Sequence, residues 1–235
     1  MTMLDFSLFE MLSFDCYGTL INWESGILGY LGPLLRKRGC EISDTRILNL
    51  YSEFEPREQA KEYRSYREVL ASIVRAFAKE CRVEVSDAEA NGLADSIRTW
   101  QPFADTVPAL KRLKSRYKLA ILSNIDDDLF AGSAQLLQVP FDLVVTAQQA
   151  RGYKPSVGNF ELLLHRAAIA PGKLLHVAES LYHDVVPAQE IGIATVWVNR
   201  RQGKPAAATR LVDAKANLEV ATVGELADLA VGGGR

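Results

Sequence analysis

The chain is short of cysteine, of net charge and of long apolar runs, and each shortage excludes something. Its three cysteines, Cys16, Cys40 and Cys81, are odd in number, widely spaced and without a metal-ligand rhythm. That argues against a disulfide framework or zinc site and for a reducing, cytoplasmic compartment. Lysine and arginine total 27 against 29 aspartates and glutamates, a formal charge of −2, so nothing here attracts nucleic acid or an anionic membrane. No apolar run approaches the ~20 residues that span a bilayer. Asp5 and Glu10, with no basic stretch beside them, do not read as a secretory signal. What is present is a globular balance of 48% hydrophobic and 24% charged residues over 235 positions, enough for one large domain or two small ones.

Short apolar runs bounded by turn residues at 11–14, 119–122, 143–146, 175–178 and 194–198 read as strands buried on both faces. The last four alternate with helical patterns. Asp105 or Thr106 can cap a helix carrying Val107, Leu110 and Leu113, and Phe160, Leu163, Leu164 and Ala167 share one face of another. Such alternation predicts an α/β fold: a doubly wound, mostly parallel, Rossmann-like sheet with helices on both faces. The hundred or so residues after the first strand read as helices instead. Ile27, Leu28, Leu31, Leu34 and Leu35 follow helical spacing up to Gly39, and Tyr66, Val69, Leu70, Ile73, Val74 and Phe77 mark a second amphipathic helix. Ser86 with Glu89 forms a capping box for a third, with Leu93 and Ile97 on its buried face. Residues 22–100 are therefore expected to form a helical cap inserted into a core of 1–21 and 101–235, with 101–105 as the return hinge around Pro102. The glycines at 232–234 read as a frayed tail.

Ligands bind beyond the carboxyl ends of the strands in such sheets. The first strand ends at Asp15, followed by Gly18, and the second at Ser123-Asn124; Lys154 lies after the third, and Glu179 to Asp184 follow the fourth. Asp15, held at a strand end, can act as a nucleophile that forms an ester later cleaved by water. Lys154 can neutralise it, and Ser123 and Asn124 offer donors to a substrate carboxylate or leaving group. Each residue alone could be a turn or cap residue. Four strand ends that deliver a carboxylate, a hydroxyl-amide pair, an ammonium and an acidic pair to one edge form a constellation.

These segments resemble the haloacid dehalogenase superfamily, with motifs "FDCYGTL", "LSNID", "YKP" and "AESLYHD" in order along nearly the whole chain. The resemblance implies a hydrolase with Asp15 as nucleophile and Thr19, Ser123, Asn124, Lys154 and Asp184 in support. Phosphatases of the superfamily carry an aspartate as general acid two residues after the nucleophile, where this chain has Tyr17. A phenol of pKa about 10 donates poorly at neutral pH, whereas halide leaves as an anion without a proton. Tyr17 thus resembles the 2-haloacid dehalogenases, whose aromatic residue there packs on the substrate. Trp23 stands either as a substrate wall or as core, and Phe160 occupies the place of those enzymes' tyrosine after the motif lysine. Their cap arginine has no counterpart around Tyr51 and Ser52, which leaves Arg57, Arg64 and Arg67 as displaced candidates. "AESLYHD", Trp23 and Arg200-Arg201 with Gly203-Lys204 also resemble a side branch that includes an azetidine-2-carboxylate hydrolase.

Asp15, Glu179 and Asp184 place three carboxylates near one lysine, which Mg²⁺ could relieve as in the superfamily's phosphatases; otherwise Glu179 pairs with Lys154. Dehalogenases of this kind require no cofactor. His183 invites a proton-transfer role, His165 and His176 read as packing residues, and Cys16 reads as facing away from the site. The expected function is hydrolysis of a small 2-substituted carboxylic acid of 2-haloacid type through an aspartyl ester. Ring-opening of an azetidine-2-carboxylate type and Mg²⁺-dependent phosphatase activity are the alternatives. A phospho-acceptor receiver domain fits poorly, because it would carry an earlier acidic pair and no large insertion. The partner is a small carboxylate, not nucleic acid or membrane, and a homodimer is left open.

Overall fold

The computed structural model describes residues 4–202 and 212–232; the glycine tail beyond Gly232 and the Gly203-Lys204 pair lie outside that range. The apolar runs form strands β1 (Met11–Phe14), β2 (Lys118–Ser123), β3 (Leu143–Thr146), β4 (Leu174–Ala178) and β5 (Ala194–Val198), joined by a short β6 (Leu218–Val220). They make one sheet in the order β3-β2-β1-β4-β5-β6, every neighbouring pair parallel. The first strand of the chain is therefore central, and the winding reverses between β1 and β4. Both are buried at every residue, as strands covered by helices on two faces must be.

Four helices follow β1: α1 (Trp23–Lys37), α2 (Asp44–Gln59), α3 (Tyr66–Cys81) and α4 (Asp87–Ser96). Each start has a local cause. Asn22 and Ser43 accept from the backbone of Ser25 and Arg46, and both Ser65/Glu68 and Ser86/Glu89 close full capping boxes. After the return come α5 (Thr106–Lys114), α6 (Asp127–Leu137), α7 (Ala147–Ala150), α8 (Val157–Ala167), α9 (Val186–Glu190) and α10 (Val223–Gly232). Asp105 precedes α5 without capping it. Its carboxylate is taken by Arg200 at 2.9 Å and by the Gly224 amide at 3.1 Å, tertiary partners that outbid the local helix end.

The two chain crossings between sheet and cap lie side by side. Asn22 N donates to Gln101 O at 2.9 Å, Phe103 N to Leu20 O at 3.0 Å, and Ile21 bridges Pro102. A second tie comes from the core: Asp126, just past β2, accepts the Tyr66 and Arg67 amides at 2.9 Å each. A carboxylate is favoured there because it meets unpaired N–H groups at the positive end of the α3 dipole.

The expectation that disulfides are improbable is corrected. Cys40 and Cys81 form a disulfide with Cα atoms 5.7 Å apart, because α1 and α3 bring their C-terminal ends together. Sequence spacing of 41 residues carries no hint of that approach, and the cysteine argument for a reducing compartment falls with it. Cys16 is free and fully buried. Among the described residues no helix is long and apolar enough to cross a membrane.

Candidate active site

Asp15 lies one residue past β1, at the switch point of the sheet, with its amide donating to Val177 O at 3.1 Å. The chain then turns at Gly18, whose φ is +98° and whose missing Cβ would sit 3.1 Å from the Trp23 indole nitrogen. A side chain there would be strained and crowded at once. The turn brings Thr19 back, so that its hydroxyl donates to Asp15 Oδ2 at 3.0 Å while accepting from the Glu179 amide at 2.9 Å.

Lys154 is 1% exposed, and its ammonium has three acceptors: Asp15 Oδ1 at 2.9 Å, Asp184 Oδ1 at 2.6 Å and Leu122 O at 2.8 Å. Burial alone would lower its pKa, but the two carboxylates outweigh that and raise it, so the amine stays charged. Asp15 is pushed up by burial against the pull of Lys154, whereas Lys154 and His176 overcome burial at Asp184 and hold it at about 2. Asn124 fixes the lysine loop: its Oδ1 accepts from Lys154 N at 2.7 Å and its Nδ2 donates to Lys154 O at 3.1 Å. Both ends of that amide are thus engaged with backbone, although the side chain lines the pocket. Ser123 differs. It lines the same pocket, is 1% exposed, and its buried hydroxyl has no hydrogen-bond partner within the protein.

After β4 the chain makes a π-helical turn, Leu181–Val185, wider than an α turn, and such turns recur at functional sites. Through it both His183 and Asp184 line the pocket, although adjacent residues ordinarily diverge. Burial lowers His183 to about 4, so it is neutral at pH 7. His176 is not mere strand packing. Its Nε2 lies 2.9 Å from Asp184 Oδ1 and its Nδ1 2.8 Å from Ser13 Oγ. An ionised carboxylate only accepts, so Nε2 is the donor, and a chain from β1 to β4 orients Asp184.

The helical insertion lines the pocket with Trp23, Glu55, Gln59 and Tyr66, and the sheet edge with Asp15, Ser123, Asn124, Lys154, Ser180, His183 and Asp184; Tyr17 lies at the seam. Tyr17 turns its hydroxyl to Ser133 at 2.8 Å and packs edge-on to Trp100, with a pKa pushed well up by burial. Trp23 packs edge-on to Tyr51 while lining the pocket, so wall and core are one role.

Several expectations are overturned. Phe160 does not line the pocket; it is fully buried on α8, edge-on to His176 at 5.1 Å, in the core beneath the site. Glu179 lines a different cavity with Gly18, Glu24 and Arg200. A Mg²⁺ site of Asp15, Glu179 and Asp184 is therefore not assembled: the Lys154 ammonium lies between the other two carboxylates. Among the described residues no group of three His, Cys, Asp or Glu could hold a metal ion, so these residues do not fit the cation. The displaced arginines are engaged elsewhere, Arg57 with Glu53, Arg64 with Glu58, and Arg67 with Asp95 and Asp128. None lines the pocket.

Sequence reasoning missed Glu55. It extends the buried stripe Ile47, Tyr51, Glu55 of α2 at four-residue spacing, a signal hidden among Glu53, Glu58 and Pro56.

A central parallel sheet, a buried aspartate–lysine pair at its switch point and an inserted helical cap define a class of capped α/β hydrolases. The chain belongs to the haloacid dehalogenase-like hydrolase family, whose match covers residues 12–198. It is similar to (S)-2-haloacid dehalogenase 2 of Pseudomonas sp. (strain CBS-3), 26% identical over 80% of this chain and 82% of that one. Similarity to (S)-2-haloacid dehalogenase H-109 of Pseudomonas putida is 26% over 93% and 96%. The haloacid dehalogenase-like hydrolase domain-containing protein 3 of Danio rerio matches at 27%, over only 45% of this chain and 44% of that one. The fold is shared with the L-2-haloacid dehalogenase of Xanthobacter autotrophicus, at TM-score 0.81 and 19% identity over 96% and 100% of the two chains.

Proposed function

We propose that the protein hydrolyses a small 2-substituted carboxylic acid, of the kind the 2-haloacid dehalogenases act on, through an ester of Asp15. The observation that carries this reading is the Asp15–Lys154 pair in a pocket beside the unpartnered Ser123 hydroxyl. In this reading Lys154 counters the upward push of burial on Asp15, and Thr19 aims its carboxylate. Asp15 attacks C2; the bond to the substituent breaks with its electron pair on the leaving atom. Water then attacks Cγ of the ester, which releases a 2-hydroxy acid and restores the carboxylate. Ser123 receives the substrate carboxylate, Asn124 holds the lysine loop, Asp184 shares the ammonium, and Trp23 and Tyr17 wall the substrate.

A phosphatase would need a proton donor where Tyr17 stands and a cation beside Asp15, and the geometry favours neither. A panel of 2-chloropropionate, azetidine-2-carboxylate and a phosphate monoester, each with Mg²⁺ and with chelator, tests the proposal. Turnover of a 2-substituted acid that is indifferent to chelator and absent in Asp15→Asn supports it. Turnover of the phosphate ester alone, dependent on Mg²⁺, contradicts it.

A further inference from the structure

The pocket is polar on the cap side as well as at the sheet edge. Among the described residues that line it there is no alanine, valine, leucine, isoleucine, methionine or phenylalanine, and its apolar surface is that of the Tyr17, Trp23 and Tyr66 rings. An alkyl chain on C2 of a substrate would be set against polar groups that lose water and gain no partner.

Two such groups stand on one face of α2. Glu55 is 4% exposed; Tyr66 donates to its Oε1 at 2.5 Å, and the Tyr51 hydroxyl lies 3.4 Å from the same oxygen. Gln59 follows one turn later, half-buried, at the four-residue spacing that puts both side chains on the pocket. Among the described residues neither Glu55 Oε2 nor the Gln59 amide has a hydrogen-bond partner. Burial pushes Glu55 up to about 7, so near neutral pH its carboxyl occurs both as an acceptor and as a donor. A hydroxyl donates and accepts, and so pairs with either form. The Gln59 amide carries a donor and an acceptor of its own and matches the same group. An ammonium, which only donates, fits the ionised form alone.

We propose that Glu55 and Gln59 receive a hydroxyl on C3 of the substrate, so that the 2-substituted acid is a 3-hydroxy acid and not a simple alkanoate. This rests on the Asp15 ester reading and specifies the substrate's side chain; the displacement at C2 is unchanged. With C2 at Asp15 and the substrate carboxylate at Ser123, both on the sheet edge, C3 and its hydroxyl meet α2. The product is then a 2,3-dihydroxy acid.

The test compares 2-chloro-3-hydroxypropionate with 2-chlorobutyrate, which carries a methyl group where the first has its hydroxyl. Glycerate and 2-hydroxybutyrate are followed by mass spectrometry against an enzyme-free control, because a chlorohydrin closes slowly to its epoxide in water. Wild-type protein should favour the hydroxy acid in kcat/KM by about 100-fold or more, as a site built around a hydrogen bond rejects the analogue that lacks it. Glu55→Met should lower that ratio by about 100-fold, with a thermal melt to show that it folds. Gln59→Met, at a half-buried position whose amide the fold does not use, should lower it by about tenfold and carries the test should Glu55→Met not fold. 2-Chlorobutyrate turned over at least as fast as the hydroxy acid, or a ratio unmoved in Gln59→Met, would overturn the assignment. Preference for 2-chloro-3-aminopropionate over the hydroxy acid would overturn it too, since α2 would then select a charge. Turnover of none of these acids, nor of 2-chloropropionate, would instead overturn the displacement at C2 on which the assignment rests.

Discussion

The sheet half and the cap half of this pocket are built on opposite principles. At the sheet edge every charge is answered: Asp15 and Asp184 share Lys154, His176 steadies Asp184, and Asn124 pins the loop that delivers the lysine. On the cap side a single carboxylate, Glu55, is surrounded by Tyr51, Tyr66 and Trp23 and among the described residues pairs with no cation. The difference separates two tasks. The ionic network fixes the carboxylate of Asp15 in place, while the carboxyl of Glu55 is held only by phenol hydroxyls.

The comparison breaks most severely at Lys154. Lys154→Met leaves Asp15 and Asp184 buried without their shared cation, so kcat should fall on the order of 100-fold or more. Stability should drop by roughly 3–5 kcal/mol in denaturant titration, the usual cost of orphaning one side of a buried ion pair. The disulfide lies away from both halves. Cys40→Ser should lower stability by up to about 4 kcal/mol, from the entropy of its 41-residue separation, and leave kcat within about twofold.

Glu55 sharpens the contrast through pH. Its carboxyl is raised from 4.5 to about 7 in the folded protein, so the folded state holds its proton more tightly than the unfolded chain. That contribution is complete below pH 4.5 and is lost as pH rises through 7, a loss of about 3 kcal/mol by linkage. Glu55→Gln should flatten stability across that window, as read by melts between pH 5 and 8. Tyr17 at the seam should matter least. Tyr17→Phe loses one hydrogen bond to Ser133, costs about 1 kcal/mol, and should keep turnover within about tenfold.

The same contrast governs what could be read from the sequence. The strands of the core were legible because buried parallel strands are unbroken apolar runs; β6 was not, being three residues long with Glu219 exposed at its centre. In the cap, α1, α3 and α4 announced themselves by stripes and capping boxes, whereas α2 has a polar sequence with Pro56 inside its last turn. Phe160 was placed in the site by the family resemblance and Glu179 by its strand end, and neither shows which way a side chain points; the helical stripe that groups Phe160 with Leu163 correctly puts it in the core. His176 and Glu55 owe their surroundings to elements far away in the chain, Asp184 and Ser13 for one, Tyr66 and the sheet edge for the other. Pairing of that kind is tertiary, as is that of Cys40 with Cys81.

The central claim is that Asp15 carries the covalent step. Single turnover of a reactive 2-substituted acid in ¹⁸O-labelled water, followed by mass spectrometry of the peptide containing Asp15, tests it directly. Attack of water on the ester carbonyl places the label in the Asp15 carboxylate, and Asp15→Asn should show neither label nor turnover. Label found only in the 2-hydroxy acid would mean that water attacks C2 itself, and would contradict the account.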